Sequence, residues 1–227
     1  MYWKPPKLWP RRTIFLLGGG PSLATMDLKP IHDQRVIGCN DAYSLGKWVD
    51  LCYFGDVDWF KIHWRNTVKR RNGTIHPGLK RFGGLIVGCP GKPPISGSSV
   101  LRLQRKPRGI FRGKHYVGWY GNTGASAINL AILLGAKRIV LLGYDMKVAS
   151  AGEGNWHDNL KNPITKDNMI EGVERMERFK KKFREMRRDL DSVADLDVEI
   201  LNATPESELE VFPMVDFKDV IREVQAA

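Results

Sequence analysis

At 227 residues and 42% hydrophobic content, the chain can bury a substantial core in one large domain or two small ones. Its longest apolar stretches, such as Ile128–Leu134, fall far short of the roughly 20 residues a membrane span requires. The charged N-terminus lacks the apolar stretch of a secretion signal, which makes a cytoplasmic protein the expectation. A formal net charge of +11 favours an acidic partner, whether nucleic acid, an anionic membrane surface or a phosphate-rich substrate, without choosing among them.

In chain order, residues 1–12 are basic, aromatic and proline-rich and read as a loosely attached arm ahead of a single domain, 13–227. Thr13–Leu17 is a continuous apolar run halted by Gly18-Gly19-Gly20-Pro21-Ser22, the pattern of a buried strand followed by a phosphate-type loop, with Pro21 favouring a helix start. Arg35–Cys39 reads as a second strand ending at Asn40-Asp41, and Asp50–Phe54 as a third ending at Gly55-Asp56. Val57–Val68 has helix-like apolar spacing and runs into Lys69-Arg70-Arg71, with Asn72-Gly73 marking a turn. Leu85–Val87 is another short strand.

Pro90–Lys114 is rich in Gly, Pro, Ser and Arg without a regular apolar period, so it is expected to leave the sheet as an excursion or lid reaching to about residue 118. Gly121-Asn122-Thr123-Gly124 opens the small-residue helix Ala125–Leu134, and Arg138–Leu142 is the next strand. Apolar residues from Met169 through Val173, Met176, Phe179, Phe183, Met186 and Leu190 recur every three or four positions and predict one long amphipathic helix with a basic outer face. That face is either merely solvated or a polyanion site. Val198–Leu201 reads as a late strand and Phe217–Val224 as a closing helix.

Strands alternating with helices predict an α/β, Rossmann-like, doubly wound fold: a mostly parallel sheet with helices on both faces. Its ligand crevice should lie beyond the carboxyl ends of the strands. The candidate nucleotide-binding residues follow from that geometry. Glycines at 18, 19 and 20 let backbone N–H groups approach a phosphate, and the Ser22 hydroxyl adds a hydrogen bond, although a tight turn without a ligand has the same sequence. Asn40, Asp41 and Asp56 bring amide and carboxylate groups to strand ends, where they hold a base, a ribose or a metal, or simply cap helices. Asn122, Thr123 and Gly124 form a second glycine-bracketed turn, again readable as a ligand site or as a helix cap.

Asp145, in Gly143-Tyr144-Asp145, is the strongest single carboxylate, and His157, in a glycine-rich loop beyond it, is a candidate general base. His32, His63, His76 and His115 show no pairing spacing and read as packing or surface groups. Trp59, Trp64 and Trp119 are candidates for stacking on a ligand or for core packing. Cys39, Cys52 and Cys89 share no metal-ligand spacing and read as reduced thiols, and no zinc motif is present.

The ordered set Gly-Gly-Gly-Pro-Ser-Leu at 18–23, Cys-Asn-Asp-Ala-Tyr at 39–43, the Asp50–Asp56 strand and Asn129–Asp145 resembles two related groups. One is the bacterial sialyltransferases that use CMP-sialic acid; the other is the 6-hydroxymethylpterin diphosphokinase-like family, and the chain looks closest to the small phage and prophage proteins of that second group. The resemblance spans about residues 13 to 215. It implies nucleotide contacts at Gly18, Gly20, Ser22 and Asn40, and by position at Asn122, Thr123 and Gly124. It also implies a loop histidine, His157, that activates an acceptor hydroxyl.

The leading expectation is therefore a transferase with a nucleotide-activated donor, most simply a nucleotide sugar, with His157 and Asp145 as catalytic residues. A polyanionic acceptor such as DNA would suit the charge. One alternative is a Mg²⁺-dependent diphosphokinase in which Asp56 and Asp145 hold the metal. Another is a non-catalytic nucleic-acid-binding or assembly module on the same fold.

Overall fold

The run Thr13–Leu17 forms strand β1, in which each residue after the first is buried. Ile14 and Leu16 belong to one apolar cluster and Phe15 and Leu17 to a second, as the alternation of side chains along a strand requires when both faces are covered. The structure is a computed structural model and describes residues 1–64, 67–69, 75–91, 99–148 and 166–226. Its further elements are β2 (Arg35–Cys39), β3 (Leu51–Phe54), α1 (Val57–His63), β4 (Thr67–Lys69), β5 (Ile75–Pro77), β6 (Leu85–Gly88), β7 (Val100–Arg102), β8 (Gln104–Lys106) and β9 (Tyr116–Gly118). They continue with α2 (Thr123–Leu134), β10 (Arg138–Leu142), α3 (Lys166–Asp191), β11 (Glu199–Asn202) and α4 (Phe217–Ala226).

Seven strands make one sheet in the order β11, β10, β1, β2, β3, β6, β7, and each neighbouring pair in it is parallel. The chain winds outward from β1 to β7 and then returns to place β10 and β11 on the opposite side. The winding therefore reverses between β1 and β10, which is the topological switch point of a doubly wound sheet. Residues of α2 and the Phe183, Met186 and Leu190 stripe of α3 cover one face, and Val220 and Ile221 of α4 cover the other. Helix α2 is buried from Ala125 to Leu134, and every residue of that stretch except Ser126 and Asn129 is apolar. Asn122 caps its start, and Gly135, at φ 99°, ends it by donating to the carbonyls of Ala131 and Ile132.

Three expectations need correction. The segment 90–118 does not simply leave the sheet: Val100–Arg102 is its edge strand, paired with β6, while β8 and β9 pair with each other in a separate parallel ribbon. Strands of three residues are too short to show a period. The N-terminal arm is not loose, because the amide of Trp3 donates to Arg102 O (2.7 Å), that of Trp9 to Leu134 O (2.9 Å), and both indoles pack on the core. The helix expected over Val57–Val68 ends at His63, and Thr67–Lys69 pairs antiparallel with Ile75–Pro77 instead. The Asn72-Gly73 turn lies outside the described residues.

Candidate functional site

The loops after β1, β2 and β10 and the start of α2 enclose a cavity of about 410 Å³ at the switch point. Gly18, Gly19, Gly20, Asn40, Asp41, Asp56, Asn122, Thr123, Gly124 and Asp145 all line it. Ser22 stands behind the wall, joined to it through Asp145, and His157 lies outside the described residues. Residues far apart in the chain thus meet at one place.

The glycine loop is used differently from a phosphate cradle. Its amides are committed within the protein: Gly18 donates to Leu142 O (2.8 Å), Gly20 to Gly143 O (2.8 Å) and Ser22 to Asp145 Oδ1 (3.0 Å). The Ser22 hydroxyl donates to Asp145 Oδ2 (2.8 Å), so serine and aspartate clamp the β1 and β10 loops together. Gly20 has φ −67°, ψ 151°, a conformation open to any residue, yet a methyl group there would fall inside the Asp145 carboxylate. At Gly18 the same methyl would meet Gly143 O. Close approach of the two loops is what requires these glycines. Pro21–Ala24 is a four-residue 3-10 turn, so no long helix adds its dipole here.

Burial pushes the Asp145 carboxyl above its ordinary range, against the two Ser22 donors and the nearby Lys147, which favour the ionised form. Two expected ligand groups prove to be caps: Asp56 accepts from the amides of Asp58 (2.7 Å) and Trp59 (3.1 Å), and Asn122 accepts from that of Ala125 (3.0 Å). The first-turn amides of Thr123 and Gly124 keep no partner among the described residues, and they open onto the cavity at the positive end of the twelve-residue α2.

Asn40 differs from its neighbours. It sits at φ 50°, a left-handed conformation that asparagine tolerates better than most residues, and its buried Oδ1 has no hydrogen-bond partner. Beside it, Asp41 is 3% exposed and accepts from Trp59 Nε1 (2.8 Å), while its Oδ1 lies 3.4 Å from His63 Nε2. The far nitrogen of His63 meets the Tyr43 hydroxyl at 3.1 Å. This buried network under the cavity floor was not legible from spacing, because His63 is on α1 and Asp41 and Tyr43 are in the turn after β2; the shared aromatic character of both segments was the one available signal. Cys39 is also at the cavity, but burial pushes its thiol up to about 12, which leaves it an inert hydrophobe.

Asp56 and Asp145 are each held by protein donors, and among the described residues no three acidic, histidine or cysteine side chains converge as a metal site.

The architecture and the cavity together define a class, a Rossmann-like parallel α/β protein with a ligand-sized cavity at its switch point. Set against family models, curated proteins and solved structures, the chain matches none of them. No described helix is long and apolar enough to cross a membrane.

Proposed function

We propose that the chain is a transferase that binds a nucleotide-activated donor, most simply a nucleotide sugar, in this cavity and moves its group to an acceptor hydroxyl. The observation that carries the reading is the partnerless, buried Oδ1 of Asn40, a residue lining the cavity at the switch point, where folds of this kind bind their ligands. A buried acceptor left unsatisfied costs about 1–3 kcal/mol. A base amino group or ribose hydroxyl donating to it would remove that cost on binding.

In this reading the phosphates lie against the amides of Thr123 and Gly124 rather than against the glycine loop, whose amides are already engaged. As the acceptor oxygen bonds to the transferred group, the bond from that group to the donor phosphate breaks. The α2 terminus stabilises the charge released on the leaving phosphate, and His157 takes the acceptor's proton, as the resemblance to sialyltransferases implies. Asp145 holds the two loops in register through Ser22.

The test is a thermal-shift panel of CMP, UMP, GDP, ATP and their sugar conjugates on the wild type and on Asn40→Gly. One nucleotide class should stabilise the wild type, by about 2.7 kcal/mol at a hundred times its Kd. Asn40→Gly should lose that shift while the ligand-free protein stays as stable as wild type. Removing the orphaned carbonyl and the left-handed asparagine offsets glycine's extra chain entropy of about 0.5–1 kcal/mol. No shift with any nucleotide at millimolar concentration, or an undiminished shift in Asn40→Gly, overturns the reading.

A further inference from the structure

The cations of α3 fall into two rows. Arg175, Lys180, Lys182 and Arg187 each pair with a carboxylate: Glu171 (3.2 Å), Glu177 and Glu208 (the latter at 2.8 Å), Glu185 (2.9 Å) and Asp191 respectively. Arg178, Lys181, Arg184 and Arg188 are exposed and have no carboxylate partner among the described residues. At 100° per residue, this second row lies opposite the core-facing Phe183, Met186 and Leu190, and the paired cations flank it. On this outer face Glu177 and Glu185 are engaged by the flanking Lys180 and Lys182, and Glu174 lies one turn before Arg178, so the four cations keep no carboxylate partner of their own among the described residues.

Like charges three and four residues apart repel, and Arg184 has only cations at those spacings: Lys180, Lys181, Arg187 and Arg188. The helix dipole favours Arg188 in the last turn but fades before Lys181 and Arg184. From 178 to 188 the row runs about 15 Å at 1.5 Å per residue. Beyond the helix end the exposed Arg112 donates through Nη1 to Ala194 O at 3.2 Å. Among the described residues of this helix the exposed large apolar side chain is Val173, more than a turn before the row begins, so the row itself offers no apolar group to insert into a bilayer. A linear, apolar-free track of fixed cations matches a chain of phosphates.

We propose that this row is a docking surface for the phosphate backbone of a nucleic acid. The test is fluorescence anisotropy with a labelled 20-base-pair duplex between 50 and 300 mM salt, on the wild type and on Lys181→Glu/Arg184→Glu/Arg188→Glu. A control triple, Lys29→Glu/Lys47→Glu/Lys218→Glu, makes the same change of charge at exposed sites elsewhere. The α3 triple should bind on the order of 100-fold more weakly near 0.1 M salt, with the log–log salt slope reduced by about 2.7, at roughly 0.9 for each lost phosphate contact. The control should stay within a few-fold of wild type. A glutamine version of the α3 triple, with an unchanged melting temperature, separates lost contacts from lost folding. Equal losses in both triples, no salt-dependent binding by the wild type, or binding to phosphatidylserine vesicles without binding to the duplex would each overturn the proposal.

Discussion

Replacing Gly20 with alanine tests whether the glycines after β1 serve the packing of two loops. The backbone at Gly20 is in a region open to alanine, so the substitution adds no conformational strain, and the effect reduces to one methyl group set into the Asp145 carboxylate and against Gly143 O. Overpacking of this kind costs about 1–3 kcal/mol. The displaced carboxylate also loosens its two bonds from Ser22, each worth about 1.5–3 kcal/mol in full but partly recovered by water in the cavity. A net loss of about 3 kcal/mol follows, and for a chain of this size it lowers the melting temperature by about 6–12 °C. Calorimetry of Gly20→Ala in the wild-type and Asp145→Ala backgrounds provides a double-mutant cycle. With the carboxylate gone, only the approach to Gly143 O remains, so the cost should fall by at least about 1 kcal/mol. Equal costs in the two backgrounds would refute the clamp.

Two further predictions concern pH. Because Asp145 binds its proton more tightly in the folded than in the unfolded chain, its contribution to stability is full below the ordinary carboxyl pKa of 3.8 and is lost as pH rises through its raised native value. Urea midpoints from pH 3 to 7 should show this slope in the wild type and not in Asp145→Asn; a parallel pair of profiles would contradict it. Asp189 behaves in the opposite sense. Partial burial works against its ionisation, but the Arg108 guanidinium (2.8 Å) and the Tyr120 hydroxyl (2.6 Å) hold its carboxyl below the ordinary value, so its stabilisation is present above pH 3.8 and disappears as the pH drops through the lowered value. Asp189→Asn should cost about 1–2 kcal/mol at pH 7 and much less near pH 2, read from denaturant midpoints; a pH-independent cost would show that the charge is irrelevant.

Much of the frame was legible because buried parallel strands are unbroken apolar runs. Thr13–Leu17, Arg35–Cys39 and Arg138–Leu142 could be bounded from sequence as they stand in the structure, and the period of Met176 to Leu190 marked α3. The three-residue strands β7 to β9 carry no period, and the tryptophans of the N-terminal arm did not announce the surfaces they cover. At the site, polar strand ends pointed to loops that converge, since Asn40 and Asp145 line one cavity. What the sequence withheld was the use of each group: glycines that admit a phosphate and glycines that admit a neighbouring loop are the same residues in the same order. The orphaned Asn40 and the His63 network depend on side-chain directions that only the folded chain sets.

The uniformly parallel sheet also governs how the chain is made. An interior strand, β1, leaves the ribosome well before β10, so Thr13 must wait for Arg138 before its second edge is covered. At about 5–20 residues per second that wait lasts several seconds, during which an apolar strand displays an unsatisfied row of backbone groups. Assembly should therefore be slow and vulnerable to intermolecular pairing until β10 arrives, and recovery from denaturant should fall sharply with protein concentration.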